Sequence, residues 1–94
     1  MRDPETGGGV VKRLIGLPGD VLQFRVDGVY LNYRKIQEYY LPAGAYTWSR
    51  RHQGRLIMLD KGEYFVLGDN RLNSVDSRSY GPVYDADILG VVTY

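Results

Sequence analysis

Runs that mix apolar and polar residues, each closed by Gly, Pro, Asp or Asn, divide the chain, and none holds the three-to-four spacing of an amphipathic helix. "VVKRLIGL" (10–17), ended by "PGD", predicts a strand. "VLQFRV" (21–26) and "VYLNYRKI" (29–36) flank Asp27-Gly28, a pair suited to the positive φ of a tight turn, and predict a β-hairpin. "RLIMLD" (55–60) and "EYFVLGD" (63–69) flank Lys61-Gly62 and predict a second hairpin. "DILGVVTY" (87–94) predicts a closing strand. Between Tyr39 and Gly54, "YYLPAGAYTWSRRHQG" mixes polarity with Pro and Gly and reads as a surface excursion beside the sheets. The resulting fold class is all-β, with antiparallel strands in a partly open barrel or two small packed sheets, and the whole of 1–94 forms a single domain. Up to four of the nine Tyr, with Trp48 and Phe65, are expected in the core or along a groove, the core being the better assignment for any one.

Composition narrows the functions. A 94-residue domain buries only about two thirds of the surface its unfolded chain exposes. With 44% apolar and 24% charged residues it is expected to fold, and its net charge of +1 provides no field to draw it to nucleic acid. The absence of Cys removes disulfides, thiolate metal sites and a cysteine nucleophile, and a single His, His52, removes a multi-histidine metal site. No metal or cofactor is expected. His52 lies in "SRRHQGR" and is expected to be a solvated loop residue. No apolar run is long enough to span a bilayer and "MRDPETGGG" lacks a signal-peptide core, so the chain as given is expected to be soluble.

Two stretches carry candidate chemistry. In the first strand, alternation puts Val10, Lys12 and Leu14 on one face and Val11, Arg13 and Ile15 on the other, so whichever face turns inward takes a cation with it. A buried lysine can shed its proton, because desolvation lowers an amine's pKa by up to several units; an arginine must find a carboxylate. Taken alone, the strand is better explained as an edge whose cations reach into water. The second stretch, "GDNRLNSVDSR" (68–78), offers Asp69 and Asp76 as partners for Arg13, Arg71 or Arg78, among Asn and Ser that can cap turns. By composition alone it is a self-capped polar loop.

The order of the residues adds more. "VKRLIGLPGD" (11–20), followed about fifty residues later by "GDNRLNSVDSRSYGPV" (68–83), resembles two adjacent boxes of the bacterial type I signal peptidases, and the resemblance runs from about Arg2 to Tyr94. That family consists of membrane-anchored serine proteases that remove signal peptides from exported proteins with a Ser-Lys dyad. The resemblance implies Lys12 as general base, Ser74 as the hydroxyl that hydrogen-bonds the catalytic amine, Arg13 paired with Asp69, and Asp76 with Arg78 as a supporting salt bridge. Lys at the base position, where endoplasmic-reticulum relatives carry His, makes the resemblance bacterial. Val10 and Leu14 on the face of Lys12 would supply the apolar wall a neutral amine needs. The implied substrates are signal-peptide-bearing preproteins, and the parent is expected on the outer face of the cytoplasmic membrane.

The family's nucleophile lies upstream of the Lys box, whereas Ser49, Ser74, Ser77 and Ser79 all lie downstream of Lys12. The chain is therefore expected to be a partial catalytic domain without anchor or nucleophile, inactive alone and prone to self-association through exposed strand edges. Two alternatives remain: another Ser-Lys hydrolase of related fold, such as the self-cleaving repressor type, and a noncatalytic β module that binds protein through a Tyr-rich surface.

Overall fold

The computed structural model describes Met1 and residues 9–42 and 44–88. Its strands are β1 (Arg13–Gly16), β2 (Val21–Arg25), β3 (Gly28–Leu31), β4 (Arg34–Lys35), β5 (Leu56–Met58), β6 (Glu63–Leu67) and β7 (Val83–Tyr84). One helical turn, α1 (Ser77–Tyr80), and a short 3-10 helix (Asp85–Asp87) complete the regular structure. They form two antiparallel sheets, one ordered β1-β6-β7 and the other β4-β3-β2-β5. This is the all-β, two-sheet arrangement expected from the sequence.

The core lies between the sheets. Ile15, Leu22, Phe24, Val29, Leu59, Phe65 and Leu67 form one cluster, with Leu31, Ile36 and Ile57 packed against it. Phe24 of one sheet meets Phe65 of the other with ring centroids 5.8 Å apart. No described Tyr is fully buried and Trp48 is about half exposed, so the core assignment for the aromatics holds for Phe65 and fails for the rest. A phenol or indole taken into this dry interior would need a polar partner that the aliphatic cluster does not offer.

The first hairpin forms, but one residue earlier than expected. Arg25 pairs with Gly28, leaving Val26-Asp27 as the turn. Gly28 is needed for its backbone, at φ 149, since the atom a Cβ there would meet, Lys35 Cε at 2.9 Å, ends a flexible side chain that can move aside. The expected strand 29–36 is two strands, because Asn32 (φ 52) and Tyr33 (φ 69) make a tight left-handed turn between β3 and β4. Asn32 has a local reason to adopt it: its Oδ1 accepts from Val21 N at 2.9 Å and its Nδ2 donates to Asp20 Oδ1 at 3.0 Å.

The second hairpin is a correction. A turn does close at Glu63 N to Asp60 O, but β5 pairs with β2 in the other sheet, not with β6. Leu59 accounts for the crossing. It is buried, and its backbone is held by Asp20 and Gly19, so the chain passes from one sheet to the other at this point. The 39–54 excursion runs outside the sheets as expected, anchored by buried Thr47 and Ser49 and by Gly54 N donating to Phe24 O at 2.8 Å. His52 lies within it but is half-buried rather than solvated as expected. Its ring sits edge-on to Phe65 and 3.0 Å from Ser49 Oγ, and burial, with Arg51 and Arg55 nearby, lowers its pKa. Of the closing strand expected at 87–94, Asp87 belongs to the 3-10 helix and Ile88 caps it, and 89–94 lie outside the described residues.

Candidate active site

The pairing of β1 with β6 brings the two boxes together. Arg13 stands opposite Leu67, so the antiparallel ladder ends where Lys12 and Gly68 leave their strands side by side. Lys12 is half-buried, and its Nζ donates to Ser74 Oγ at 3.1 Å across 62 positions of sequence. Gly68 makes that approach achievable. A Cβ on residue 68 would fall 1.8 Å from Ser74 Oγ and 3.6 Å from Lys12 Nζ, so only a hydrogen fits.

Arg13, the next residue, makes a two-pronged ion pair with Asp69, through Nε to Oδ1 at 2.8 Å and Nη2 to Oδ2 at 2.7 Å. The guanidinium pulls the Asp69 carboxyl below its ordinary pKa. With its carboxylate 48% exposed, this pair contributes little to stability, about 1 kcal/mol or less.

Asp76 and Arg78 differ by being buried, at 0% and 8% exposure of their side chains. Asp76 caps α1 by accepting from Arg78 N at 3.0 Å, and takes both Arg78 side-chain prongs at 2.9 and 2.7 Å. Its second oxygen accepts Gly68 N at 3.0 Å. Burial alone would raise the Asp76 carboxyl, but the Arg78 guanidinium and the two backbone N–H groups outweigh it and the pKa falls. Arg78 in turn donates to Arg71 O at 2.8 Å and Trp48 O at 3.2 Å, and Ser77 Oγ accepts Val66 N at 2.9 Å. The loop that carries Ser74 is thus tied at both ends to β6 and α1.

A cavity of about 590 Å³ opens beside Lys12, walled by Val11, Leu14, Leu17, Leu31, Ile36 and Tyr40. The amine therefore has a hydroxyl on one side and apolar walls on another. All six residues singled out from the sequence lie in this region: Lys12 with Ser74, Arg13 with Asp69, and Asp76 with Arg78. The sequence reading missed Gly68, whose signal was available in a glycine directly after an apolar run. It also missed Glu38 and Tyr40, for which spacing carries no signal, and offered Asp69 or Asp76 to Arg71, which pairs with Glu38 instead.

A family model described as signal peptidase, peptidase S26, matches residues 1–94. The chain belongs to this family. It is 41% identical to signal peptidase I U of Bacillus subtilis over 97 aligned residues, which cover 96% of this chain and 51% of that protein. Signal peptidase IB of Staphylococcus aureus is 35% identical over 102 residues, 89% of this chain and 51% of that protein. A crystal structure of a signal peptidase I from Enterococcus faecalis has a TM-score of 0.79 at 37% identity, covering 98% of this chain and 89% of that one. The chain spans about half the length of these curated signal peptidases. Among its described residues no helix is long and apolar enough to cross a membrane.

Proposed function

We propose that this signal peptidase chain is the base-bearing part of a membrane-anchored serine endopeptidase that removes N-terminal signal peptides from exported proteins. Lys12 is the general base and Ser74 holds its amine. The observation that supports this reading is the 3.1 Å contact between Lys12 Nζ and Ser74 Oγ on the wall of an apolar cavity.

The nucleophile is a serine outside this sequence, as in the family. Its hydroxyl oxygen attacks the carbonyl carbon of the scissile peptide while its proton passes to the Lys12 amine. The resulting ammonium then protonates the departing peptide nitrogen, giving an acyl-enzyme and a free amine terminus. Water repeats the sequence: its proton goes to Lys12, its oxygen displaces the serine, and the proton returns to the serine oxygen. Ser74 accepts a hydrogen bond from the amine throughout and so fixes the direction of its lone pair. The substrate, a preprotein with small residues before the cleaved bond, lies extended along the edge of β1. That same edge makes self-association of the chain by itself a reasonable expectation.

The test is cleavage of a purified preprotein by the complete protein. Lys12→Met is expected to abolish processing, whereas Ser74→Ala is expected to leave a residue of activity, reduced by about 100-fold, because it removes an orienting group rather than a reacting one. Full activity in Lys12→Met would overturn the base assignment. Undiminished activity in Ser74→Ala would overturn its role in holding the amine.

A further inference from the structure

The ion pairs around Lys12 do not by themselves explain how its backbone is held. Asp69, the carboxylate that grips Arg13, is half exposed, and an exposed pair holds a side chain only weakly. A second contact reaches the same guanidinium. Arg13 Cζ lies 3.5 Å from the centroid of the Tyr40 ring, directly over its face, and Tyr40 is half-buried on the cavity wall. A cation so close to a partly desolvated ring face is held more firmly than one in an open ion pair.

Tyr40 is fixed in its turn. Its hydroxyl donates to Glu38 Oε2 at 3.2 Å, and burial together with the Glu38 carboxylate pushes the phenol up, so it stays a donor. The same Glu38 oxygen accepts from Arg71 Nη1 at 2.5 Å, in a pair whose side chains are 13% and 1% exposed. Arg71 Nη1 also donates to Thr47 Oγ1 at 2.8 Å, and its Nε donates to Gly68 O at 2.8 Å. Gly68 is the residue packed against both Ser74 and Lys12. The segment 38–40 therefore touches each side of the Lys12–Ser74 contact at one remove: Arg13 beside the lysine, and Arg71 behind the glycine under the serine.

We propose that Glu38 and Tyr40 form a brace that sets the Lys12 amine against Ser74, with Tyr40 acting through Arg13 and Glu38 through Arg71. Both are positioning residues, since neither reaches the amine, and the inference rests on the reading of Lys12 as general base. It assigns a purpose to the start of the 39–54 excursion, which otherwise lies outside both boxes. The brace belongs to the face of the ring, not to its hydroxyl alone, because only an aromatic face can support the guanidinium.

The experiment measures kcat and KM of the complete protein on a preprotein peptide. Tyr40→Leu, which keeps apolar volume but loses the face, is expected to lower kcat by about 10- to 100-fold with KM within about twofold, the mark of a misplaced base rather than a damaged substrate wall. Tyr40→Phe restores the face and is expected to bring kcat back to within about threefold of the parent. In an Arg13→Met background, Tyr40→Leu is expected to cost nothing further. An unchanged kcat in Tyr40→Leu, a change confined to KM, or a loss that persists undiminished in the Arg13→Met background would overturn the brace. Should Tyr40→Leu not fold, Glu38→Gln serves: kcat lowered by about fivefold or more at unchanged KM supports the proposal, and unchanged kcat overturns it. If Lys12→Met still cleaves, the base reading fails and the brace with it; if Lys12→Met is dead and Tyr40→Leu is not impaired, the brace alone fails.

Discussion

At the scale of single residues, the site depends on one missing methyl group and one buried carboxylate. Gly68→Ala would put a Cβ within 1.8 Å of Ser74 Oγ and 2.6 Å of Ser74 Cβ, neither of which can yield without moving the loop. The expected outcome is a stability loss of about 1–3 kcal/mol, seen in thermal unfolding, with preprotein cleavage falling far more than that loss accounts for. Asp76 makes a pH prediction. Its folded carboxyl sits below the ordinary 3.8, so its contribution is complete above that value and is lost as pH falls through the lower folded value. Near neutral pH, Asp76→Asn is expected to cost about 3 kcal/mol or more, because Arg78 stays buried without its charge partner. Melting curves of the two proteins are expected to converge below pH 3.8, and a gap that stays constant down to the strongest acid would refute the assignment. The six chemistry-bearing residues were legible in the sequence because their order matches a family pattern. Gly68 is a different matter: a glycine directly after an apolar run marks a special position, but which side chain comes to lie over it, here that of Ser74 six positions away, no local rule anticipates.

At the scale of elements, periodicity located the strands better than it assigned their partners. "EYFVLGD" reads as a strand and is one, but Lys61-Gly62 looked like a hairpin turn and joins two sheets instead. The two arrangements have the same local turn. What decides between them is Leu59, whose burial between the sheets is a tertiary fact. The β3–β4 turn was hidden for a related reason, since "VYLNYRKI" alternates well enough to pass for one strand. Asn32 makes the turn with two side-chain hydrogen bonds, whereas Tyr33, 66% exposed at φ 69, has only the strain. Tyr33→Gly is therefore expected to stabilise the fold by about 0.5–1 kcal/mol, the left-handed penalty for an L residue less the entropy cost of glycine. A lower denaturant midpoint in that variant would contradict this account of the turn. The helical turn α1 also went unread, although Asp76 before it and Gly81 after it are ordinary start and stop signals. At four residues it is too short for any periodic stripe.

At the scale of the whole molecule, two sheets packed through Phe24 and Phe65 leave β1 as an edge among the described residues, with Lys12 just beyond its first residue. This geometry suits the proposed reading of Lys12 as base for an extended peptide: a strand edge among the described residues, an apolar cavity beside it, and an amine at the end of the ladder. The near-neutral charge of +1 agrees with recognition by local shape rather than by a long-range field. The central claim is that an amine at position 12, and nothing else there, drives the reaction. Lys12→Cys tests it most directly in the complete protein, with any cysteine outside residues 1–94 first replaced, since these residues hold none to compete for a thiol reagent. The variant is expected to be inactive, and alkylation with 2-bromoethylamine, which rebuilds an amine at nearly the same reach, is expected to restore preprotein cleavage. Cleavage by the unalkylated variant, or none after complete alkylation of a folded protein, would contradict the account.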